Sequence, residues 1–94
     1  MSVVLLSQMR IKDAAKLGEY RKAVGPMVRA AGGELLAKSD TPELIGGRFE
    51  SDSVVIFRFP SRQAVFDWLE DPEYAKLLPL REAAAEIDFV LLED

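Results

Sequence analysis

Residues 54 to 81 read VVIFRFPSRQAVFDWLEDPEYAKLLPLR. The apolar run that opens this stretch belongs to residues 53 to 59, where β-branched and aromatic types indicate a β-strand. Ser61 then stands at a helix N-cap position, and apolar residues at helical spacing follow it as far as Trp68 and beyond. Pro72 interrupts that helix and suits the first turn of another one, where its missing N–H matters little. The stretch therefore predicts a strand, a sharp corner and two helical segments.

The N-terminal part of the chain predicts a strand followed by a long helix. Residues 3 to 9, VVLLSQM, are typical of a strand. Asp13 is placed to cap a helix whose apolar residues recur every three or four positions for roughly five turns. Pro26 predicts a kink within this helix, and Gly32-Gly33 predicts its end, because glycine adopts the left-handed C-cap conformation without steric cost.

Three more strand-like segments complete the pattern. Residues 34 to 39 and 44 to 50 read as strands on either side of a turn, with a bulge invited by Gly46-Gly47, and residues 87 to 93 read as the closing strand. The element order is β-α-β-β-α-β. We therefore predict an α+β fold, the ferredoxin-like sandwich, in which helices cover one face of a four-stranded antiparallel sheet.

Both faces of the predicted sheet are apolar. Alternation puts Val54 and Ile56 on one face and Val55, Phe57 and Phe59 on the other, and in the last strand it puts Phe89 and Leu91 opposite Val90 and Leu92. The helices cover one set, and the simplest cover for the other is the same face of a second copy. A chain of 94 residues buries only about 60–65% of its unfolded surface, and without cysteine it has no disulfide to help. We therefore predict a homodimer with a barrel-like interior.

Composition narrows the class of protein. The length predicts one domain, residues 1 to 94. The absence of cysteine fits a reducing compartment, and we expect a cytoplasmic protein. A net charge of −4 and a pI near 4.8 argue against nucleic-acid binding. The first apolar run has four residues, too short for a signal sequence or a membrane span.

Four sequence features occur in a distinctive order. They are Gly32-Gly33 before a strand, residues 54 to 59 running into Pro60-Ser61, Trp68 followed by residues 71 to 74, and Arg81 before residues 83 to 85. The ordered set resembles the small bacterial family of domains of unknown function numbered thirteen-thirty, over nearly the whole chain. The resemblance implies the dimeric α/β-barrel fold. That superfamily includes cofactor-free monooxygenases, muconolactone isomerase-like enzymes and haem-using chlorite dismutase-like enzymes.

The chain also departs from the family pattern. The strand commonly carries an acidic residue where Arg58 stands, the hairpin usually has a longer Arg-Gly-Gly-type stretch at residues 37 to 40, and a second aromatic residue usually stands where Leu69 is. No reaction carries over from the family. If its members share a polar site at the acidic position, Arg58 changes that site here.

The missing histidine restricts the chemistry available to the chain. Without histidine the chain has no Ser-His-Asp triad, no Cys-His dyad and no imidazole ligand for haem or zinc. The acidic residues are spread along the chain without ligand spacing. We therefore expect no cofactor and no metal.

Arg81, Tyr74 and Trp68 are the leading candidates for a ligand site. The forked donors of Arg81 suit a carboxylate or an enolate, and the aromatic rings suit the lining of an apolar cavity. In the structural alternative, Trp68 and Tyr74 are core residues, and Arg81 pairs with Glu82 or Glu86 or caps a helix end.

Three further polar residues are candidates. Arg58 shares a face with Val54 and Ile56, so it either pairs with an acid, binds an anionic ligand or lies at the exposed end of its strand. By analogy with the fold, Gln8 and Tyr20 are expected to add hydrogen bonds at one mouth of a cavity.

The sequence supports two hypotheses for the function. The first is a homodimer that binds a small organic molecule, anionic or aromatic, in a mostly apolar cavity. If it is an enzyme, its superfamily suggests cofactor-independent oxygenation or isomerisation. The alternative is a non-catalytic dimeric binding or assembly module.

Overall fold

The computed structural model describes residues 2 to 93. Its strands are β1 (Val3–Ile11), β2 (Glu34–Ser39), β3 (Ser53–Phe59) and β4 (Ala85–Glu93); its helices are α1 (Ala14–Ala30), α2 (Arg62–Leu69), α3 (Pro72–Ala75) and α4 (Leu78–Ala84). The strands form one antiparallel sheet in the order β2-β3-β1-β4. The predicted ferredoxin-like α+β fold is confirmed.

Both ends of α1 form as the sequence predicts. The Asp13 carboxylate accepts a hydrogen bond from the Lys16 N–H at 3.1 Å. At the other end Gly32 has φ +93°, its N–H donates to Arg29, and the Gly33 N–H donates to the Val28 carbonyl at 2.9 Å. These are the two bonds of a Schellman motif. Between its ends α1 is a single helix.

Residues 44 to 50 do not form a strand, and that prediction was wrong. The hairpin partner of β2 is β3, so the connection between these two strands is longer than the predicted turn and includes residues 44 to 50. This connection is irregular; in it Gly47 has φ +76° and Ile45 is 93% exposed. The register irregularity of the sheet falls in β2, between Leu35 and Ala37.

The two predicted faces of the sheet are confirmed. The helix-covered face contains buried Val55 and Phe59, with Phe57, Phe89 and Leu91 packed against the same core. The other face, which we call the open face, leaves Val90 43% and Leu92 48% exposed. Within residues 2 to 93, no helix has the length and apolar character needed to cross a membrane.

Candidate ligand-binding site

A cavity of about 310 Å³ lies between α1 and the helix-covered face of the sheet. This volume is at the lower end of the range for small-molecule pockets. α1 contributes Tyr20, Arg21, Val24, Gly25, Val28 and Arg29; α2 contributes Trp68; and the strands contribute Ser7, Met9, Leu35, Lys38, Val55, Phe57 and Phe89. Arg29, Leu35 and Lys38 are exposed and form the mouth of the cavity.

Aromatic rings form the inner wall of the cavity around Trp68. The indole stacks on Phe59 with ring centroids 5.9 Å apart, and Phe89 meets it edge-on, also at 5.9 Å. Both arrangements are favourable for aromatic pairs. Trp68 is 5% exposed, and its indole N–H has no acceptor among residues 2 to 93. Trp68 is therefore both a core residue and part of the cavity wall.

A hydrogen-bonded chain, Arg81–Tyr74–Tyr20, ends at the cavity. Arg81 Nη1 donates to the Tyr74 hydroxyl at 3.0 Å, and the hydroxyls of Tyr74 and Tyr20 are 2.8 Å apart. The two tyrosines carry two hydroxyl protons but share one bond, so one proton remains for another acceptor. Tyr20 is the member of the pair that lines the cavity.

The ionisation state of Tyr20 follows from its surroundings. Burial raises the pKa of Tyr20 far above its ordinary value, and the neighbouring Tyr74 raises it further. At neutral pH the Tyr20 hydroxyl is therefore protonated. It suits the role of a hydrogen-bond donor rather than that of a base.

The structure does not give Arg81 the partner foreseen in the structural alternative. Its guanidinium donates to Tyr74 and lies 5.9 Å from the ring centres of both Tyr74 and Phe89. Glu86 is instead paired with Arg10 at 3.1 Å, because the two residues face each other across β1 and β4.

Two candidate residues lie away from the cavity. Arg58 is opposite Val4 and Gln8 is opposite Val54, which places both side chains on the open face. Gln8 Oε1 accepts a hydrogen bond from Ser51 at 3.2 Å. The fold thus brings Arg81, Tyr74, Trp68 and Tyr20 together and separates them from Arg58 and Gln8.

Sequence reasoning missed three basic residues of the cavity, Arg21, Arg29 and Lys38. A signal for two of them was present in α1. Tyr20, Val24 and Val28 form the buried stripe, and Arg21, Gly25 and Arg29 follow it one position later at the same spacing. Two arginines on either side of a glycine, directly beside a buried stripe, indicate an edge of the core with room next to it.

Arg21 is held in place by a polar cluster at the N-terminal end of β3. Its Nη2 donates to the hydroxyl of Ser53 at 2.8 Å and pairs with Asp40 at 3.1 Å. Hydrogen bonds from Ser53 and then from Arg21 lower the pKa of Asp40. The Arg21 Nε–H is buried and has no acceptor in the described part of the chain.

The fold and the site define a ferredoxin-like α+β protein with a small cavity under its first helix. The profile of the family described as "Domain of unknown function (DUF1330)" matches residues 2 to 94, and the chain belongs to this family. No curated protein matches the sequence. Across residues 2 to 93, no three acidic side chains are grouped closely enough to hold a metal ion.

Many solved structures share the fold, among them the following three. The protein of unknown function RPA0582 from Rhodopseudomonas palustris has a TM-score of 0.86 at 21% identity, covering 99% of this chain and 82% of its own. SnoaB, a cofactor-independent oxygenase from Streptomyces nogalater, has a TM-score of 0.70 at 14% identity, covering 99% and 92%. A dimeric ferredoxin-like protein of unknown function from Thermobifida fusca has a TM-score of 0.64 at 13% identity, covering 100% and 92%.

Proposed function

We propose that this protein binds a small aromatic molecule carrying a hydrogen-bond acceptor, in the cavity between α1 and the sheet. One observation carries the proposal. Arg21 Nε and Trp68 Nε1 are buried without an acceptor in residues 2 to 93, and both residues line this cavity. A buried donor left unpaired costs about 1–3 kcal/mol, so native proteins keep few of them. Two such donors on one cavity favour a ligand that supplies oxygen acceptors.

The shape and lining of the cavity favour an aromatic ligand. Phe57, Trp68 and Phe89 offer ring faces and edges, and the remaining inner lining is largely aliphatic. A flat ring system can stack or meet these side chains edge-on. Trp68 is the only tryptophan of the chain, so its fluorescence reports directly on occupancy.

A thermal-shift screen of small aromatic alcohols, amides and carboxylic acids tests this proposal, with Trp68 emission as the second readout. Val24→Phe places a ring in the cavity and should abolish binding. Ala15→Phe is the matched control, because it adds the same ring to an exposed position of the same helix, outside the cavity. Ligands that stabilise both variants as well as the parent would contradict the assignment of the site.

We also propose that the protein is a homodimer and that its two copies associate through the open face. The exposed Val90 and Leu92 support this, as does the fold shared with a protein described as dimeric. Val90→Asp puts a charge in the proposed interface and should yield monomers in light scattering at micromolar concentration. A parent protein that is a folded monomer under those conditions would rule the dimer out.

A second candidate function is cofactor-independent oxygenation, the activity given for SnoaB. The observation that favours it here is the Arg81–Tyr74–Tyr20 chain, whose protonated end at the cavity can donate to a developing oxyanion of the ligand. Oxygen uptake with each ligand from the screen tests turnover, and Tyr20→Phe should slow it without abolishing binding. Binding with no uptake of oxygen for any ligand, and no other conversion by mass spectrometry, would instead support the non-catalytic binding module.

A further inference from the structure

We propose that the ligand is an aromatic carboxylic acid whose carboxylate lies at the mouth of the cavity, between Arg29 and Lys38, with its ring directed toward Trp68 and Phe89. This inference rests on the proposed function and specifies the class of ligand. It moves the anion-binding role away from Arg81 and Arg58, the two residues that the sequence alone suggests.

The charge of the cavity lining is opposite to that of the whole chain. The protein has 16 acidic and 12 basic residues. The residues lining the cavity nevertheless include three basic side chains and no acidic one. A cavity with charges of one sign and low-dielectric walls concentrates its field, which attracts ligands of the opposite charge.

Two of the three basic groups are not neutralised by an ion pair. Arg21 is paired with Asp40 at 3.1 Å. Arg29 and Lys38 have no carboxylate at ion-pair distance among residues 2 to 93. A carboxylate placed between them would gain charge-assisted hydrogen bonds from both. The unpaired Nε–H of Arg21 is a further donor on the same lining.

The Arg29 side chain lies along α1 at the mouth of the cavity, over Gly25. A Cβ at this position would be 3.4 Å from Arg29 Nη1, so the guanidinium folds back over the glycine.

The cavity has a charged end and an aromatic end. Lys38 lies on β2 and Phe89 on β4, which are the two edge strands of the sheet. Four strands span about 14 Å between the axes of the outer pair, which is long enough for a fused bicyclic ring with one carboxylate. The polarity of the lining therefore sets the direction of the ligand: acid toward β2, ring toward β4.

The test compares 2-naphthoate with 2-naphthamide, which has the same ring and a similar shape but no charge. Isothermal titration at low salt should show the parent protein binding naphthoate about tenfold or more tightly than naphthamide, with an advantage that shrinks in 0.5 M NaCl. Arg29→Gln and Lys38→Gln should each reduce naphthoate affinity by about tenfold and leave naphthamide affinity unchanged. Arg62→Gln is the matched control, because Arg62 lies over the ring of Phe66, outside the cavity, and should change neither affinity.

The outcomes separate this inference from the proposed function. Equal affinity for the two compounds, or an advantage of naphthoate that survives both substitutions, would overturn the anion site while leaving binding in the cavity intact. If neither compound binds, the inference for this ligand class is overturned, and the independent screen with Val24→Phe decides the proposed function. Circular dichroism of Arg29→Gln and Lys38→Gln should be that of the parent, since both side chains are exposed.

Discussion

Removing one hydroxyl from the hydrogen-bonded pair of Tyr20 and Tyr74 should lower the free energy of unfolding by different amounts at the two positions. Tyr20→Phe and Tyr74→Phe each delete a single oxygen and keep the ring. Among residues 2 to 93, the Tyr74 hydroxyl bonds both Tyr20 and Arg81, and the Tyr20 hydroxyl bonds Tyr74. The two substitutions therefore remove the same atom but break different numbers of hydrogen bonds.

The size of each loss in the free energy of unfolding depends on whether the remaining hydroxyl is buried without a partner. In Tyr20→Phe the Tyr74 hydroxyl keeps its bond from Arg81, so the loss is that of one neutral hydrogen bond, about 1 kcal/mol. In Tyr74→Phe the Tyr20 hydroxyl is left in a site that is only 3% exposed, and the total loss should be about 2–3 kcal/mol. Arg81 adds little, because it is partly exposed and can turn to water. For a domain of this size each kcal/mol corresponds to about 4–8 °C in Tm.

Urea denaturation at one fixed protein concentration measures these losses, with the double variant closing the cycle. The double variant should lose less than the sum of the two single losses, by about 1 kcal/mol, because no hydroxyl is then stranded in the core. Equal losses at the two positions, or additive losses in the double variant, would refute the hydrogen-bonded chain.

Two further predictions concern the fold around the site. Gly33→Ala should destabilise the protein by about 1–3 kcal/mol, since its Cβ would lie 2.5 Å from a methyl of Val28. Gly18→Ala places a Cβ with no atom within 4 Å and should stabilise α1 by about 0.8–1 kcal/mol. If urea denaturation showed both substitutions changing the free energy of unfolding in the same direction, this packing would be contradicted. Because hydrogen bonds from Ser53 and then Arg21 lower the pKa of Asp40, this carboxylate stabilises the fold above its ordinary pKa of 3.8, and the contribution is lost as the pH falls through the lower value of the folded state. Asp40→Asn should therefore show a smaller drop in Tm than the parent between pH 5 and pH 2, and identical pH profiles would count against the cluster.

Local features of the fold were predictable because each depends on a few neighbouring residues. The apolar stripe of α1, its Asp13 cap and its glycine end all follow from the spacing of side chains and the geometry of helix ends. The failed prediction, a strand at residues 44 to 50, shows the limit of such patterns. Strand propensity says nothing about which segment pairs with β2, and here its hairpin partner is β3.

The candidate site was only partly predictable. Tyr74, Trp68 and Arg81 were recognised as candidates from their side-chain chemistry and Tyr20 by analogy with the fold, and the structure brings them together. Arg58 was a candidate from its chemistry and Gln8 from the same analogy. The strand pleat places them on the opposite face, because side chains alternate from one face to the other.

The sequence by itself determined the four strands of the sheet, the first helix and the two apolar faces, but not the irregular segment at residues 44 to 50, because propensity, capping and side-chain periodicity act over a few residues. The tertiary structure alone decided that Arg29 on α1 and Lys38 on β2 line one cavity, and that Asp40 forms an ion pair with Arg21. Such groupings depend on how a helix lies on a sheet and on which residues are adjacent in space. The charge and direction of the cavity are therefore properties of the packing between α1 and the sheet.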